Sequence, residues 1–250
     1  EVRERIIGDS PIDLGELGNH VTQSWHKMFV REPGGMLNYE PEPSRSVAAI
    51  AEASGRRPEE VAYDALMELE GRGFLYFPLF NYAYGSLDTQ HTLLEHPRTR
   101  LGLSDGGAHC GAICDGGMAT FMLTHWARDR SRGEGLALEE VVRLQTSDTA
   151  SLIGLTDRGT IAPGKRADLN IIDFDQLALH APNMVHDLPA GGRRFIQSAT
   201  GYCATIVAGQ VVFEHGKPSG ALPGRLLRRS LLQTRPSPLV RADKGHSHST

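Results

Sequence analysis

The sequence has few cysteines and no long apolar run, and these two shortages exclude two classes of protein. Three cysteines in 250 residues are a small and odd number, which argues against a disulfide framework and indicates a reducing compartment. No apolar run approaches the roughly 20 residues of a membrane helix. The first residues, EVRERIIGDS, are charged, unlike those of a signal peptide. The sequence therefore predicts a cytoplasmic protein with no membrane partner.

A large excess of charge of either sign is also missing. The chain has 26 basic and 30 acidic residues, a formal net charge of -4, and no stretch of its main body gathers lysine and arginine into a stripe. A nucleic-acid partner is therefore not expected. Hydrophobic residues make up 40% of the chain, which is enough to build the core of a globular protein of this length.

The first 155 residues read as an α/β arrangement. An apolar, aromatic stretch at 73–83 and the short run TRLGLSD at 99–105 predict buried strands, and the helix predicted between them makes this a parallel crossover unit. A further short strand is predicted at 20–30. Capping residues, prolines and apolar spacing predict helices at 44–53, 58–70, 86–96 and 118–130, with one or two more in 138–153.

The pattern changes after Gly159. A Pro-Gly turn precedes a strand in which polar and apolar residues alternate from Asp168, and the stretch ATIVAGQVVFEHG predicts a hairpin that bends at Ala208-Gly209. These signals predict an antiparallel segment over 156–228. The last residues, 229–250, are rich in proline and like charges and are predicted to be disordered.

One glycine-rich stretch, LGLSDGGAHCGAICDGG at 101–117, concentrates polar side chains at the end of a predicted strand. Zinc coordination by Cys110 and Cys114 with His109 and Asp115 is the weaker interpretation, because no second cysteine pair completes a structural site. Cysteines that simply pack in a glycine-rich loop are the ordinary case. Ser104 lacks the pattern of a nucleophile elbow, so serine hydrolysis is rejected. The histidines on predicted helices, His91, His96 and His125, are expected to have no chemical role.

Several motifs in order resemble the carboxyl-terminal half of metal-dependent amidohydrolases, most of all the N-acyl-D-amino-acid deacylases (D-aminoacylases). The resemblance covers most of residues 20–230. It is carried by TRLGLSDGGAHC, LTHWARDR, SLIGL, DRGTIAPGKRADLNIIDFD and VAGQVVFEHGKPSGALPGRLLR. It implies the carboxyl-terminal part of a (β/α)8 TIM barrel over 1–155, with 73–83 and 99–105 as strands 7 and 8, and a small antiparallel β-sandwich segment over 156–228.

The resemblance also implies a reaction and a site. Family members use one or two metal ions, usually zinc, to hydrolyse an amide bond, here that of an N-acyl D-amino acid. Asp105 matches the aspartate that lies at the metal site, contacts the metal-bound water and acts as general base and acid, while His109 matches a position that faces the substrate's carboxylate. Gly106 lets substrate approach closely, and Asn81, at the end of a predicted strand, is expected to line the pocket. The alternatives are a turn residue for Asp105 and a histidine that bonds loop carbonyls for His109.

One expected part of the family pattern has no counterpart. The His-x-His pair of the first barrel strand is missing, since the only such pair is His246-x-His248 in the tail, and a full barrel needs roughly 200 residues or more before any sandwich. The chain is therefore expected to be a fragment that lacks a complete metal site. The alternative function is a non-catalytic module that self-associates or pairs with a missing amino-terminal barrel half.

Overall fold

The computed structural model describes residues 1–32, 38–102, 104 and 115–227. A helical region comes first in the chain and a region of short antiparallel strands follows, so the expected α/β mixture is present. The helices are α1 Val2–Gly8, α2 Gly15–Gln23, α3 Val47–Ser54, α4 Pro58–Gly71, α5 Asp88–Glu95, α6 Met118–Phe121, a π-helix Met122–Asp129, α7 Leu138–Gln145 and α8 Ser147–Leu152, with 3-10 turns at Trp25–Lys27, Pro43–Arg45 and Pro189–Gly191.

The N-cap of helix α3 lies two residues later in the chain than the cap expected from the sequence. Ser46, not Ser44, is the N-cap, because its Oγ accepts a hydrogen bond of 3.2 Å from the amide of Ala49. Ser44 instead lies in the preceding 3-10 turn. The helix ends where expected, at Gly55, whose φ of 65° is the left-handed conformation that favours glycine.

Helix α4 starts at Pro58 as expected, but its last turn is distorted. Glu68 has an extended backbone, and Leu69 and Glu70 have φ angles of 52° and 62°, so regular helix ends before them. Val61, Ala62 and Ala65 are buried, whereas Leu66 and Leu69 are about half exposed. The apolar face of the helix is therefore buried along its first two turns only.

The strand predicted at 20–30 is wrong. Its first residues belong to α2 and the next to a 3-10 turn, and only Phe29 pairs with other extended backbone, through bridges to Ser46 and Tyr76. The Phe29 amide donates to the Tyr76 carbonyl at 2.8 Å, and the return bond is 2.9 Å. A strand is stabilised by a ladder of hydrogen bonds along its length. Here each pairing of Phe29 is a single isolated bridge.

The two parallel strands predicted in the middle of the chain are not seen as strands in the described residues. Within 73–83 the only pairing is the antiparallel bridge at Tyr76, and Pro78 has no amide hydrogen for a continued ladder. Residues 99–102 and 104 form no strand, and 103 and 105 lie outside the described residues. All strand pairs within the described ranges are antiparallel, so the parallel crossover is absent there.

The antiparallel segment agrees with its prediction. Strands β1 Leu169–Ile172, β6 Tyr202–Val207, β7 Gln210–Glu214 and β8 Lys217–Pro218 form a sheet in the order β1-β6-β7-β8. Strands β2 Ala178–Leu179 and β5 Ala199–Thr200 form one two-stranded sheet, and β3 Asn183–Leu188 and β4 Gly192–Ile196 form another.

The predicted hairpin is confirmed as β6–β7. Its turn residues, Ala208 and Gly209, both have positive φ, 50° and 78°, which matches the turn type that joins twisted strands. The carboxylate of Asp168, just before β1, accepts a hydrogen bond of 2.8 Å from the amide of Ala208. The hairpin turn is thereby fixed to the neighbouring strand.

The main core lies where the helices meet the strand region. Phe29, Tyr82, Trp126, Val141 and Leu177 are buried together in it. Burial of apolar surface stabilises the fold by about 25 cal/mol per Å². The hydroxyls of Thr120 and Tyr202 lie 2.9 Å apart, so a polar contact joins the same two regions. None of the helices in the described ranges has the length and apolarity needed to cross a membrane.

Candidate functional site

A cleft of about 590 Å³ lies between the segment around Tyr39, helix α5, the α6–π-helix unit and strand β2. Its lining is mostly apolar, with Leu87, Phe121 and Trp126 among the contributors, while Asn81, Gln90 and Gln197 add polar groups. Apolar clefts of this size with a few polar groups are typical of small-molecule sites. This cleft is therefore the candidate site.

The described residues on either side of 105–114 lie beside this cleft. Ser104 and Asp115, which flank 105–114, both line it. The predicted residues Asp105, Gly106, His109, Cys110 and Cys114 lie outside the described residues, so their roles stay predictions. Asn81 is described, is exposed and lines the cleft, and substrate binding by it also stays a prediction.

The expected zinc does not fit the described part of the chain by itself. Within those ranges, no group of three or more His, Cys, Asp or Glu side chains could hold a metal ion. A catalytic zinc site needs about three protein ligands. The described residues therefore do not form a metal centre by themselves.

One side of the cleft is an aromatic wall, which consists of Tyr39, Tyr76 and Phe121. The ring of Tyr39 meets Tyr76 edge-on at 5.5 Å and Phe121 at 4.9 Å, both within the favourable range for aromatic pairs. The side-chain amide of Gln197 donates to the Tyr39 hydroxyl at 2.8 Å. Burial raises the pKa of Tyr76 above its usual value, so its hydroxyl stays protonated.

A buried ion pair lies behind this wall. Glu40 and Arg130 have only 2% and 1% of their side chains exposed, and Arg130 donates two hydrogen bonds of 3.0 Å to the two carboxylate oxygens. The Leu87 amide donates a third at 2.8 Å. Burial acts to raise the pKa of Glu40, but the hydrogen bonds from Arg130 and Leu87 outweigh it and lower this pKa overall. Glu40 is therefore a carboxylate at neutral pH.

His125 lies between the ion pair and the wall. Its ring stacks on Phe121 with centroids 4.6 Å apart and planes 11° apart, and its Nε2 lies 3.3 Å from Glu40 Oε2. That nitrogen is buried and lacks a well-directed hydrogen bond to any described group. Burial lowers the pKa of His125, and the positive charge of Arg130 lowers it further, against the opposing effect of Glu40.

Arg132 completes the attachment of the same segment. Its Nη1 donates to the carbonyls of Glu40 and Pro41, both at 3.0 Å, and to the Tyr82 hydroxyl at 2.6 Å. The hydroxyl of Tyr82 in turn donates to the Pro41 carbonyl at 2.6 Å. Residues 40–41 are therefore fixed by both side-chain and backbone bonds.

The sequence pattern did not reveal this cluster. His125 was expected to have no chemical role, and Glu40 and Arg130 were not candidates, because the carboxylate and its partners lie 85 to 90 residues apart with no local spacing to connect them. The one available signal was the stretch LTHWARDR, which carries both His125 and Arg130 and belongs to the motifs of the resemblance.

Comparison with known proteins gives the family. A 32% identity over 188 residues links the chain to the D-aminoacylase of Alcaligenes xylosoxydans xylosoxydans, covering 72% of this chain and 35% of that one. A solved D-aminoacylase structure, described as defining a novel subset of amidohydrolases, is 26% identical with a TM-score of 0.42, covering 74% of this chain and 35% of its own. The chain thus spans about a third of the length of these relatives.

A family sequence model assigns the chain to its family, independently of these two relatives. The sequence model of the amidohydrolase family matches residues 44–213, which is more than half of the chain. That range includes every wall and cleft residue after Tyr39 named above. The chain belongs to the amidohydrolase family.

Proposed function

We propose that this chain is part of an enzyme that hydrolyses the amide bond of N-acyl amino acids, with the D-enantiomers preferred. The observation that carries the proposal is the family match over 44–213, together with the similarity to a D-aminoacylase. The cleft is the proposed substrate site, because the residues on either side of 105–114 line it. Its apolar lining suits an acyl chain or an apolar amino-acid side chain.

Asp105 is the proposed general base and acid. It would take a proton from the attacking water and return that proton to the departing amine nitrogen, which is the usual role of a carboxylate in amide hydrolysis. Its neighbour Ser104 lines the cleft, which supports an Asp105 position beside bound substrate. In this proposal Gly106 and His109 contact the substrate from the same loop, His109 through the substrate carboxylate, and Asn81 contacts it from the cleft lining.

The finer features of the fold are part of the same proposal. The chain would be the carboxyl-terminal part of a (β/α)8 barrel with a β-sandwich segment, and the antiparallel sheet β1-β6-β7-β8 supports the second of these. Zinc, cytoplasmic location and the domain bounds 1–155 and 156–228 stay predictions. Zinc would supply an activated water when bound, and its ligands would have to include residues outside the described ranges.

The experiment is an amine-release assay on the intact gene product. Matched N-acetyl D- and L-amino acids with apolar side chains are the substrates, and Asp105→Asn is compared with Asp9→Asn, an exposed aspartate far along the chain from the cleft. Loss of a general base typically lowers the rate by about 10²- to 10⁴-fold. We expect that loss for Asp105→Asn, and wild-type turnover for Asp9→Asn. Equal rates in the two variants would refute the role of Asp105.

A second candidate function is a non-catalytic module that self-associates. The observation that favours it is the exposure of apolar side chains on the four-stranded sheet, where Ile171, Val211 and Phe213 are 53%, 42% and 46% exposed. Exposed apolar patches of this kind tend to find partners. Light scattering on the purified chain decides: a dimer or higher oligomer with no amine release supports this candidate, and an active monomer contradicts it.

A further inference from the structure

Three contacts connect a titratable group to the cleft. His125 stacks on Phe121 of the aromatic wall at 4.6 Å, and the same ring lies 3.3 Å from the buried carboxylate of Glu40. Glu40 is the chain neighbour of Tyr39, whose ring packs on Phe121 at 4.9 Å. The ring of His125, whose charge depends on pH, therefore contacts both Phe121 of the aromatic wall and Glu40, which follows Tyr39 in the chain.

We propose that His125 is a positioning residue of the cleft, whose ring charge sets the arrangement of the aromatic wall. This inference depends on the proposed function only in treating the cleft as the substrate site. His125 touches no reacting group in this account. It acts through Phe121 on one side and through Glu40 and Tyr39 on the other.

Within the described ranges, three charged side chains influence the pKa of His125. Glu40 faces it from the segment before α3, Arg130 follows its own helix, and Asp129 lies at the end of that helix. On the far side of Trp126, which meets the His125 ring edge-on at 5.3 Å, lies His91 of α5, 6.0 Å from the indole. Burial and the positive charge of Arg130 both favour the neutral ring, and together they outweigh the opposite effect of Glu40.

Protonation of His125 would change the hydrogen bonding of one carboxylate oxygen, Glu40 Oε2. Glu40 Oε2 already accepts a 3.0 Å hydrogen bond from Arg130 Nε. A protonated His125 would compete for the same oxygen, because a charge-assisted N–H···O bond is shorter than the present 3.3 Å contact. The ring would move toward Glu40 and away from parallel stacking on Phe121, while its charge repels Arg130. Wall and ion pair would then rearrange together.

The surroundings of His125 determine which arrangement of the wall is present at a given pH. Burial lowers the pKa of His125 below its ordinary value of 6.5, so the neutral ring and the present wall persist at neutral pH. The second arrangement would be populated only in mildly acidic solution. Glu40, whose pKa is lowered from 4.5, remains a carboxylate throughout that interval.

Trp126 reports on this change without any substrate. It lines the cleft. The chain has one other tryptophan, Trp25. Trp25→Phe in the 250-residue chain therefore leaves Trp126 as its single tryptophan. Acrylamide quenching of Trp126, which is 3% exposed, measures access to the cleft as the pH falls from 8 to 5. We expect the quenching constant to rise at least twofold, with a midpoint below 6.5.

Variants separate His125 from its neighbours. In the Trp25→Phe background, His125→Gln should abolish the transition, whereas His91→Gln, the other histidine beside Trp126, should retain it. Asp129→Asn is the mild second variant, because Asp129 is half exposed and its charge raises the pKa of His125. It should move the midpoint to lower pH even if His125→Gln fails to fold. A pH-independent quenching constant, or a transition unchanged in both His125→Gln and Asp129→Asn, would overturn the proposal.

Kinetics give an independent arm. If the cleft binds substrate, the acid limb of the profile of kcat/KM should flatten in His125→Gln through KM, while kcat changes less than twofold. A change in kcat alone would contradict positioning. If no N-acyl amino acid is hydrolysed at all, the proposed function fails, and the quenching titration still decides the role of His125 separately.

Discussion

The guanidinium of Arg130 donates two hydrogen bonds of 3.0 Å to the carboxylate of Glu40, although the residues are 90 positions apart. Both side chains are almost fully buried. This pair fixes the segment that carries Tyr39 against the π-helix and so determines one side of the cleft. π-helical turns often occur at functional sites, and here the turn carries His125 and Trp126.

Removal of one partner should be strongly destabilising. Arg130→Met leaves the Glu40 carboxylate buried and unpaired, which typically costs about 3–5 kcal/mol. Urea unfolding followed by circular dichroism should show that decrease in the free energy of unfolding. The matched control is Arg194→Met, whose partner Asp187 is about half exposed. We expect little change for the control, and equal midpoints for both variants would contradict this view of the pair.

The stability of the protein should depend on pH through His125. Its folded pKa is lowered, so the unfolded chain binds the proton more tightly, and stability is lost as the pH falls below about 6.5. Above that pH the contribution is fully present. Thermal midpoints between pH 8 and 5 should therefore decrease in the wild type and decrease less in His125→Gln.

The control for His125→Gln is a variant of a histidine that lacks the contacts of His125 with Phe121 and Glu40. His96→Gln removes an exposed histidine just after α5 and should leave the acid decrease as in the wild type. Glu40 contributes at lower pH, since a carboxylate with a lowered pKa loses its stabilising effect only as the pH falls below its ordinary value of 4.5. Identical pH profiles for His125→Gln and wild type would exclude His125 as the source.

The N-cap of helix α3 provides a local test. Ser46→Ala removes the side-chain acceptor for the Ala49 amide and should lower the free energy of unfolding by about 1 kcal/mol. Ser44→Ala is the matched control, because Ser44 lies two residues earlier and is exposed. Chemical denaturation of both variants should show a decrease for Ser46 only, and a larger decrease for Ser44 would place the cap elsewhere.

Local signals predicted the parts of the fold that local interactions determine. Pro58 marked the start of α4, and Ala208-Gly209 marked the hairpin, because both depend on the backbone of a few neighbouring residues. The strands expected at 20–30 and 73–83 were wrong, since a strand requires a run of partners distant in sequence, and among the described residues these two stretches have only the single bridges of Phe29 to Ser46 and Tyr76.

The same distinction applies to the candidate site. The motif predicts that 105–114 belongs to the site, and this stays a prediction, whereas the Glu40–Arg130 pair joins two polar residues with no shared pattern. Glu40 lies in a proline-rich stretch, YEPEP, that has the composition of an ordinary turn. Its burial depends on cationic partners from another part of the chain, and composition and periodicity contain no record of such a contact.

Blocking the cleft tests the central claim, that the cleft binds an N-acyl amino acid for hydrolysis, most directly. Leu93 and Leu152 are both exposed leucines on helices, at 54% and 65%, but only Leu93 is among the cleft-lining residues. The measurement is kcat/KM of the intact gene product with an N-acetyl D-amino acid for Leu93→Trp and Leu152→Trp. We predict a decrease of about tenfold, equivalent to about 1.4 kcal/mol, for Leu93→Trp and none for Leu152→Trp. Equal values for the two variants would contradict the account.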